Sequence, residues 1–169
     1  MRRSSPAWRP GLASGRAPAL ESPLSMTLHL LKLCVGVDAV GELEAWQRRR
    51  LAEARRRGRA PVLVHRTRAM PRRRPDVLAG GSIYWVIRGL VQVRQRILDL
   101  AAGADRDGRT FCEIRMDAKL VRTVLQPHRP FQGWRYLEPE RAPPDLPAGA
   151  VEGELPPALV AKLRALGLI

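Results

Sequence analysis

The sequence predicts an α+β fold in which a small, curved and mostly antiparallel sheet carries one long helix. Its first part contains two apolar runs, "TLHLLKLCVGV" and "APVLVHRTRAMP", on either side of a segment with helical periodicity. After residue 80, alternating strands follow one another, with the hairpin signal "GADRDG" between two of them. Gly89 interrupts a long apolar stretch, and a strand bent at a glycine favours closure of the sheet into a barrel.

Composition divides the 169 residues into four segments. Residues 1–25 are rich in Pro, Ser, Gly and Arg and lack apolar periodicity, so we expect a disordered extension or a start codon assigned too far upstream. Residues 26–141 are predicted to form a single α+β domain. Residues 142–157 form a connector rich in proline and acidic residues, and residues 158–169 are predicted to form a short amphipathic helix.

The long helix is predicted to begin at Asp38 as its N-cap and to end near Arg57, before Gly58. Trp46 lies at the edge of its apolar side, and arginines occupy the opposite side. The arginine-rich side is therefore expected to be a solvated helix face first and a binding surface second. The apolar side contains Val40, Leu43, Leu51 and Ala54.

The strands "SIYWVIRG" and "LVQVRQRILDL" are either two consecutive strands or one strand bent at Gly89. In the second, Arg94 and Arg96 alternate with apolar residues, and Gln95 interrupts the apolar side. A buried amide needs hydrogen-bond partners, so Gln95 indicates either a polar pocket or an internally satisfied glutamine. The strand "RTFCEIRMD" returns antiparallel to it, and "LVRTVL" follows.

The net charge of +14 is concentrated in one part of the chain. Between residues 48 and 74 there are twelve arginines and a single acidic residue, Glu53. Such a density of charge attracts polyanions such as RNA. Arginine also outnumbers lysine 27 to 3, which is typical of a GC-rich genome, so a solvated face without a binding role is the competing interpretation.

The remaining composition excludes several classes of protein. No apolar run is long enough to span a membrane, and no secretory signal precedes the two isolated cysteines, which indicates a cytoplasmic protein with free thiols. No phosphate-binding loop, nucleophile elbow or metal-binding spacing of histidines is present. We therefore predict no cofactor, no metal and no catalytic residues, and favour a protein that is not an enzyme.

The segment "RPFQGWRYLEP" at residues 129–139 combines aromatic and basic side chains. In an extended conformation Trp134 and Tyr136 lie on one side and Arg135 on the other. The rings either pack on the sheet, at roughly 2–3 kcal/mol each, or stack on bases, at roughly 1–3 kcal/mol per base. The predicted nucleic-acid-binding residues are Arg88, Arg94, Gln95, Arg96, Arg129, Gln132, Trp134, Arg135 and Tyr136, and the residues predicted to supply electrostatic attraction are Arg48, Arg49, Arg55 and Arg56.

Three stretches, "MTLHLLKLCVGVD", "GGSIYWVIRGLVQVRQRIL" and "RPFQGWRYLEPERAPPDLP", resemble an uncharacterised bacterial family, the domain of unknown function number fourteen-eighty-nine. The resemblance covers roughly Met26 to the C-terminus and implies no activity, cofactor or catalytic residue. In layout, "LAGGSIYWVIRG" is similar to the glycine-rich turn and strand of PUA-like barrels of the ASCH and EVE types. That likeness implies a PUA-like barrel, in a group whose members commonly bind RNA or modified bases.

These observations predict a cytoplasmic, non-enzymatic module that binds nucleic acid, with RNA or another polyanion as its partner and without contact to a membrane. Two other functions stay open. One is a small-molecule or modified-nucleotide pocket, with or without enzymatic activity, around Gln95, Trp85 and Trp134. The other is a protein-interaction module that assembles through its C-terminal helix.

Overall fold

Seven strands and two α-helices make up the computed structural model, which describes residues 26–147. The predicted extension at 1–25, the end of the connector and the predicted helix at 158–169 lie outside the described residues. In chain order the elements are β1 (His29–Leu33), α1 (Val40–Arg56), β2 (Leu63–Thr67), α2 (Arg74–Leu78), β3 (Ser82–Ile87), β4 (Leu90–Ala104), β5 (Thr110–Met116), β6 (Val121–Pro127) and β7 (Trp134–Leu137), followed by a 3-10 turn at Pro139–Arg141.

The strands form one mixed sheet in the order β2-β5-β4-β3-β1-β7, and β6 pairs with β4. Strands β1 and β3 are parallel, because the chain crosses from one to the other through α1, β2 and α2. The other five pairings are antiparallel. An arrangement of helices on a mostly antiparallel sheet was predicted from the order of elements.

Strand β4 provides the curvature of the sheet. Its first part pairs with β3 and β6, and its last part pairs with β5 after a shift of register between Ile97 and Asp99. Gly89, the predicted site of the bend, lies with Arg88 in the turn between β3 and β4. Both residues have positive φ, +77° for Gly89 and +51° for Arg88. This is the left-handed geometry of a two-residue hairpin. The chain therefore has two strands here, and a bulge within β4 provides the bend.

The sheet is open between β2 and β7, which are the two ends of its pairing path. Side chains of β7 nevertheless reach the segment that follows β2. The Trp134 indole N–H donates to the carbonyl oxygen of Ala69 at 2.9 Å, and the Tyr136 hydroxyl accepts from the backbone N–H of Arg73 at 3.1 Å. Side chains thus connect β7 to the segment after β2, but no main-chain pairing among the described strands closes the sheet into the predicted barrel.

Helix α1 begins two residues after the predicted N-cap. The backbone N–H of Asp38 donates to the Glu42 carboxylate at 2.9 Å, while Ala39 occupies the N-cap position and no side chain caps the helix. At the other end Gly58 has φ of +64°, and the N–H groups of Gly58 and Arg59 donate to carbonyls of the last turn. This is a Schellman ending, as the glycine predicted. The helix buries Val40, Leu43, Gln47 and Leu51.

Two hydrophobic clusters lie on opposite faces of the sheet. The larger one fills the space between the sheet, α1 and α2, and the smaller one lies beneath the segment after β6. Phe131 and Leu137 pack into the smaller cluster, whereas Trp134 packs against the larger one. Residues 129–139 therefore close both cores, and burial of each large apolar side chain stabilises the fold by about 1.5–3 kcal/mol. No helix within 26–147 is long and apolar enough to cross a membrane.

Candidate nucleic-acid interface

A cleft of about 1090 Å³ opens between the end of β1, helix α1 and strand β2. Small-molecule pockets span roughly 300–1,000 Å³, so this cleft is large enough for a nucleotide. Residues 32–37 line one wall, and residues 63–66 of β2 line another. Strand β7 pairs with β1 only as far as Lys32. Among the described strands, Leu33 and Cys34 therefore have no paired residue on the β7 side of β1.

A buried amide network supports the floor of the cleft. Gln95 is fully buried, and its side-chain oxygen accepts hydrogen bonds from Gln47 Nε2 and Trp85 Nε1, both at 2.9 Å. Its nitrogen donates to Gln47 Oε1 at 3.0 Å and to the Asp117 carbonyl at 2.9 Å. The indole N–H can only donate and the carbonyl can only accept, so these two groups determine the orientation of the amide. Gln95 has no polar atom left for a ligand.

Lys32 is a half-buried cation in the wall of the cleft. Its ammonium group donates to the Gly133 carbonyl at 3.3 Å and forms no ion pair with a carboxylate of the described residues. Burial lowers the pKa of Lys32, because the charged form loses hydration there. Two of its three N–H donors therefore have no acceptor among residues 26–147, beside a cleft large enough for an anionic ligand.

His65 faces the same cleft from β2. Its ring meets the Trp85 ring edge to face, with centroids 5.4 Å apart and planes at 86°. Burial, with a contribution from the charge of Lys32, lowers the pKa of His65 to about 4, so the imidazole is neutral at physiological pH. Its Nε2 atom is buried and has no hydrogen-bond partner within the described part of the chain.

Burial disfavours the thiolate form of both cysteines and raises their pKa values. Cys34 lies in the wall of the cleft, where burial raises its pKa to about 11 against the opposing effect of Lys32. The thiol is therefore protonated, and the nucleophilic thiolate is scarce. Cys112 is buried against Met70, and both cysteines are free thiols. Residues 26–147 contain no group of three or more His, Cys, Asp or Glu side chains that could hold a metal ion.

The mouth of the cleft is basic and carries an exposed aromatic ring. Trp46 is 40% exposed, and the Arg50 guanidinium lies 4.8 Å from the centroid of its ring. Both acidic side chains of the lining are already bonded: Glu42 accepts from a backbone N–H, and Glu113 accepts from Arg66. The cations of the lining outnumber these acids four to two and are Lys32, Arg49, Arg50 and Arg66.

A smaller pocket of about 330 Å³ lies on the opposite face of the sheet, beneath the segment after the 3-10 turn. Arg94 and Asp145 form a two-pronged ion pair across it, with both N···O distances at 2.6 Å, and Arg94 also donates to Ser82 Oγ at 3.2 Å. His29 Nδ1 accepts from the Ser82 backbone N–H at 3.0 Å. Asp145 thus already neutralises the guanidinium group of Arg94, to which an external anion would otherwise bind.

A family model described as "Protein of unknown function (DUF1489)" matches residues 30–169. The chain belongs to this family. The matched region includes every strand and helix described above except the first residue of β1. It confirms the resemblance read from the three sequence stretches. No curated protein and no solved structure matches the chain, so the comparisons do not support the PUA-like likeness.

In this DUF1489 protein the predicted electrostatic residues lie on the exposed side of α1. Arg48, Arg49 and Arg55 are exposed and form no ion pair with the described acidic residues, whereas Arg56 pairs with Glu53. Arg49 also lines the cleft. The helix therefore presents several uncompensated positive charges beside the cleft mouth.

The predicted residues of the β3–β4 region are separated by the fold. Gln95 points into the core and Arg94 is held by Asp145, as described above. Arg96 is exposed on the outer face of β4, and Arg88 lies in the β3–β4 turn, 3.4 Å from Asp38. These four residues do not form one surface.

The predicted residues after β6 are divided between the two faces of the sheet. Trp134 packs on the main core, with its ring 4.9 Å from that of Tyr136, which is 36% exposed. Arg135 points to the opposite face, where its guanidinium lies 5.0 Å from the Phe131 ring. Arg129 and Gln132 are exposed in the loop. This loop approaches the cleft through the Lys32–Gly133 hydrogen bond, and Trp134 is the strand partner of Lys32.

Sequence reasoning did not select Lys32, Trp46, Gln47 or His65 as site residues. For Gln47, the sequence does contain a signal. Gln47 lies four residues after Leu43 and four residues before Leu51, so its amide is on the buried side of α1. Gln95 likewise occupies an apolar side, and two such isolated amides can satisfy each other. Lys32 and His65 have no comparable local signal.

Proposed function

We propose that the protein binds single-stranded RNA across the mouth of the cleft beneath α1. The observation that carries the proposal is an exposed, arginine-flanked tryptophan at the entrance of a deep cleft lined by more cations than acids. Proteins that bind single strands combine a basic groove with aromatic rings on which bases stack. Trp46 offers such a ring, and the α1 arginines offer the charge.

The arginines of α1 support nonspecific attraction of a phosphate backbone. Arg48, Arg49 and Arg55 project from the solvent side of the helix, because its opposite side is committed to the core. Each such arginine that neutralises a phosphate releases counterions, and binding therefore weakens as salt rises. Without further contacts, this attraction would be equal for RNA and for any other polyanion.

Selectivity for bases is assigned to Trp46 and the cleft. Trp134, the ring predicted from sequence for this role, is half-buried, and its N–H is bonded to Ala69. A single strand can place unstacked bases in a cleft, whereas a duplex keeps them paired. The choice of RNA over DNA comes from the PUA-like layout suggested by the sequence.

The volume of the cleft also favours a second candidate, a pocket for a free nucleotide or another small anionic ligand. Sequence reasoning expected such a pocket around Gln95, Trp85 and Trp134, and of these three residues Trp85 lines the cleft. A free ligand and an RNA strand would share Lys32 and Trp85. The two candidate functions differ in whether the exposed arginines of α1, which are Arg48, Arg49 and Arg55, contribute to affinity.

Binding of a labelled ten-nucleotide RNA, measured by fluorescence anisotropy at several salt concentrations, tests the proposal. Arg48→Gln/Arg49→Gln should flatten the log–log salt slope by about 1.4, or about 0.7 per phosphate contact. The matched control is Arg106→Gln/Arg109→Gln, which removes the same charge from the β4–β5 turn outside the cleft. The control variant should keep the wild-type slope.

Trp46→Ala separates base stacking from charge. Loss of about 1–3 kcal/mol of stacking predicts roughly 5- to 150-fold weaker RNA binding at physiological salt. Binding of heparin, which has no bases, should not change. Equal affinity for heparin and RNA, together with no effect of Trp46→Ala, would refute the proposed function.

A further inference from the structure

We propose that Lys32 is the phosphate-binding residue of the cleft and that one nucleotide of the bound strand enters the cleft beside His65. The inference rests on the proposed function, which it extends by assigning a chemical group to a particular side chain. Its basis is the arrangement of charges in the lining, where both acids and two of the four cations, Arg50 and Arg66, already have partners.

The other charged groups of the lining are engaged or lie at its edge. Arg66 donates two hydrogen bonds to Glu113, at 2.9 and 3.1 Å, and Arg50 stacks on Trp46. Glu42 accepts from the Asp38 backbone N–H. These contacts leave Lys32 as the half-buried cation of the lining without a charged partner among the described residues.

A half-buried ammonium group without an anion is unfavourable, because the ion loses part of its hydration and gains no opposite charge. Within the described part of the chain, the ammonium group of Lys32 makes one hydrogen bond, to the Gly133 carbonyl at 3.3 Å, which uses one of its three donors. A phosphate oxygen would supply both the missing charge and acceptors for the remaining donors. The ligand chemistry that fits Lys32 is therefore an oxyanion, and we assign it to a phosphate because the proposed RNA ligand carries one at every nucleotide.

The surroundings of Lys32 fit the rest of a nucleotide. Trp85, Leu63 and Met116 provide an apolar floor on which a base can lie. His65 is a neutral neighbour, so it does not compete with Lys32 as a second cation for the phosphate. The volume of about 1090 Å³ leaves space for a sugar and a base beside the phosphate.

The first test compares adenosine 5′-monophosphate and adenosine by isothermal titration calorimetry with the full chain. We expect the wild-type protein to bind the monophosphate at least tenfold more tightly. Lys32→Met should abolish this difference, whereas Lys119→Met, which removes a lysine from the β5–β6 turn, should preserve it. Uridine and guanosine monophosphates should show the same dependence on Lys32, because the phosphate is common to all.

A second readout uses the wild-type protein and does not depend on the folding of a variant. A phosphate bound at Lys32 adds negative charge next to His65, so the pKa of His65 should rise when adenosine monophosphate is bound. Histidine NMR titrations with and without the nucleotide measure this change. An unchanged His65 titration at saturating nucleotide would overturn the placement of the phosphate.

The two proposals fail in distinguishable ways. If RNA binds and Lys32→Met changes neither RNA affinity nor the preference for the monophosphate, the assignment of Lys32 is wrong and the RNA function stands. If the monophosphate binds through Lys32 but RNA does not bind, the RNA function is wrong and the assignment stands. If neither ligand binds, both proposals are wrong.

Discussion

Replacement of Gln95 by leucine would remove the residue that satisfies the polar groups beneath the cleft. Gln95 makes four side-chain hydrogen bonds, two with Gln47, one with Trp85 and one with Asp117. Leucine is of similar size and has no polar atom. Both ends of the Gln47 amide, the Trp85 N–H and the Asp117 carbonyl would therefore lose these hydrogen bonds.

The expected cost follows from the number of groups left unpaired. A buried donor or acceptor without a partner costs about 1–3 kcal/mol, so even at about 1 kcal/mol for each of the four groups we expect Gln95→Leu to lower the free energy of unfolding by about 4 kcal/mol. Gln47→Leu removes the same pair of hydrogen bonds between the two amides. It leaves Gln95 bonded to Trp85 and Asp117, so we expect a cost of about 1 kcal/mol or less.

The double variant provides the decisive comparison. In Gln47→Leu/Gln95→Leu the unpaired Gln47 amide is gone, so this protein should be more stable than Gln95→Leu alone by about 1–2 kcal/mol. Guanidinium unfolding followed by far-UV circular dichroism measures all four proteins without relying on Trp85 as a probe. Equal costs for the two single variants, or a double variant whose cost equals their sum, would refute the reasoning.

Further predictions concern packing and an ion pair. A Cβ atom at Gly81 would lie 2.3 Å from the carbonyl oxygens of Leu28 and Val77. Gly81→Ala should therefore lower the free energy of unfolding by about 1–3 kcal/mol. Gly41→Ala, at an exposed helical site with open space, should instead raise it by roughly 0.5–1 kcal/mol, and thermal denaturation distinguishes the two. The hydrogen bonds and charge of Arg94 lower the pKa of Asp145, so the pair stabilises the fold above the ordinary Asp pKa of about 3.9, and this contribution is lost as pH falls through the lowered value. Asp145→Asn should therefore weaken the dependence of stability on pH in acid; an unchanged profile between about pH 5 and 2 would contradict this role of the ion pair.

Local patterns were sufficient where a single element determines the outcome. The glycine at position 58 ends α1 because a left-handed residue is needed there. In β4 and β5, alternation predicted the buried side of each strand, including Cys112, Ile114 and Met116. The order of helices and strands was predictable for the same reason, because the spacing of apolar residues that distinguishes a helix from a strand is a property of a few consecutive residues.

The candidate site was less predictable, because its residues come from separate elements. Trp134 faces the core and Arg135 faces the other side of the sheet, as the alternation of a strand requires. Alternation alone does not say which of the two sides is exposed to solvent, because that depends on which elements pack on each face. Lys32 and His65 belong to strands that do not pair with each other, and they share the cleft because α1 and the curved sheet bring β1 and β2 to its walls.

The sequence by itself determined the arginine-rich helix, the alternating strands and membership of the family, since charge, periodicity and sequence similarity are written along the chain. Only the tertiary structure decided which charges are neutralised and which remain available. Arg94 is paired with a residue 51 positions away, whereas Lys32 is half-buried without a carboxylate among the described residues. That difference arises from strand register and from the path of the chain over the sheet, which depend on burial summed over the whole domain.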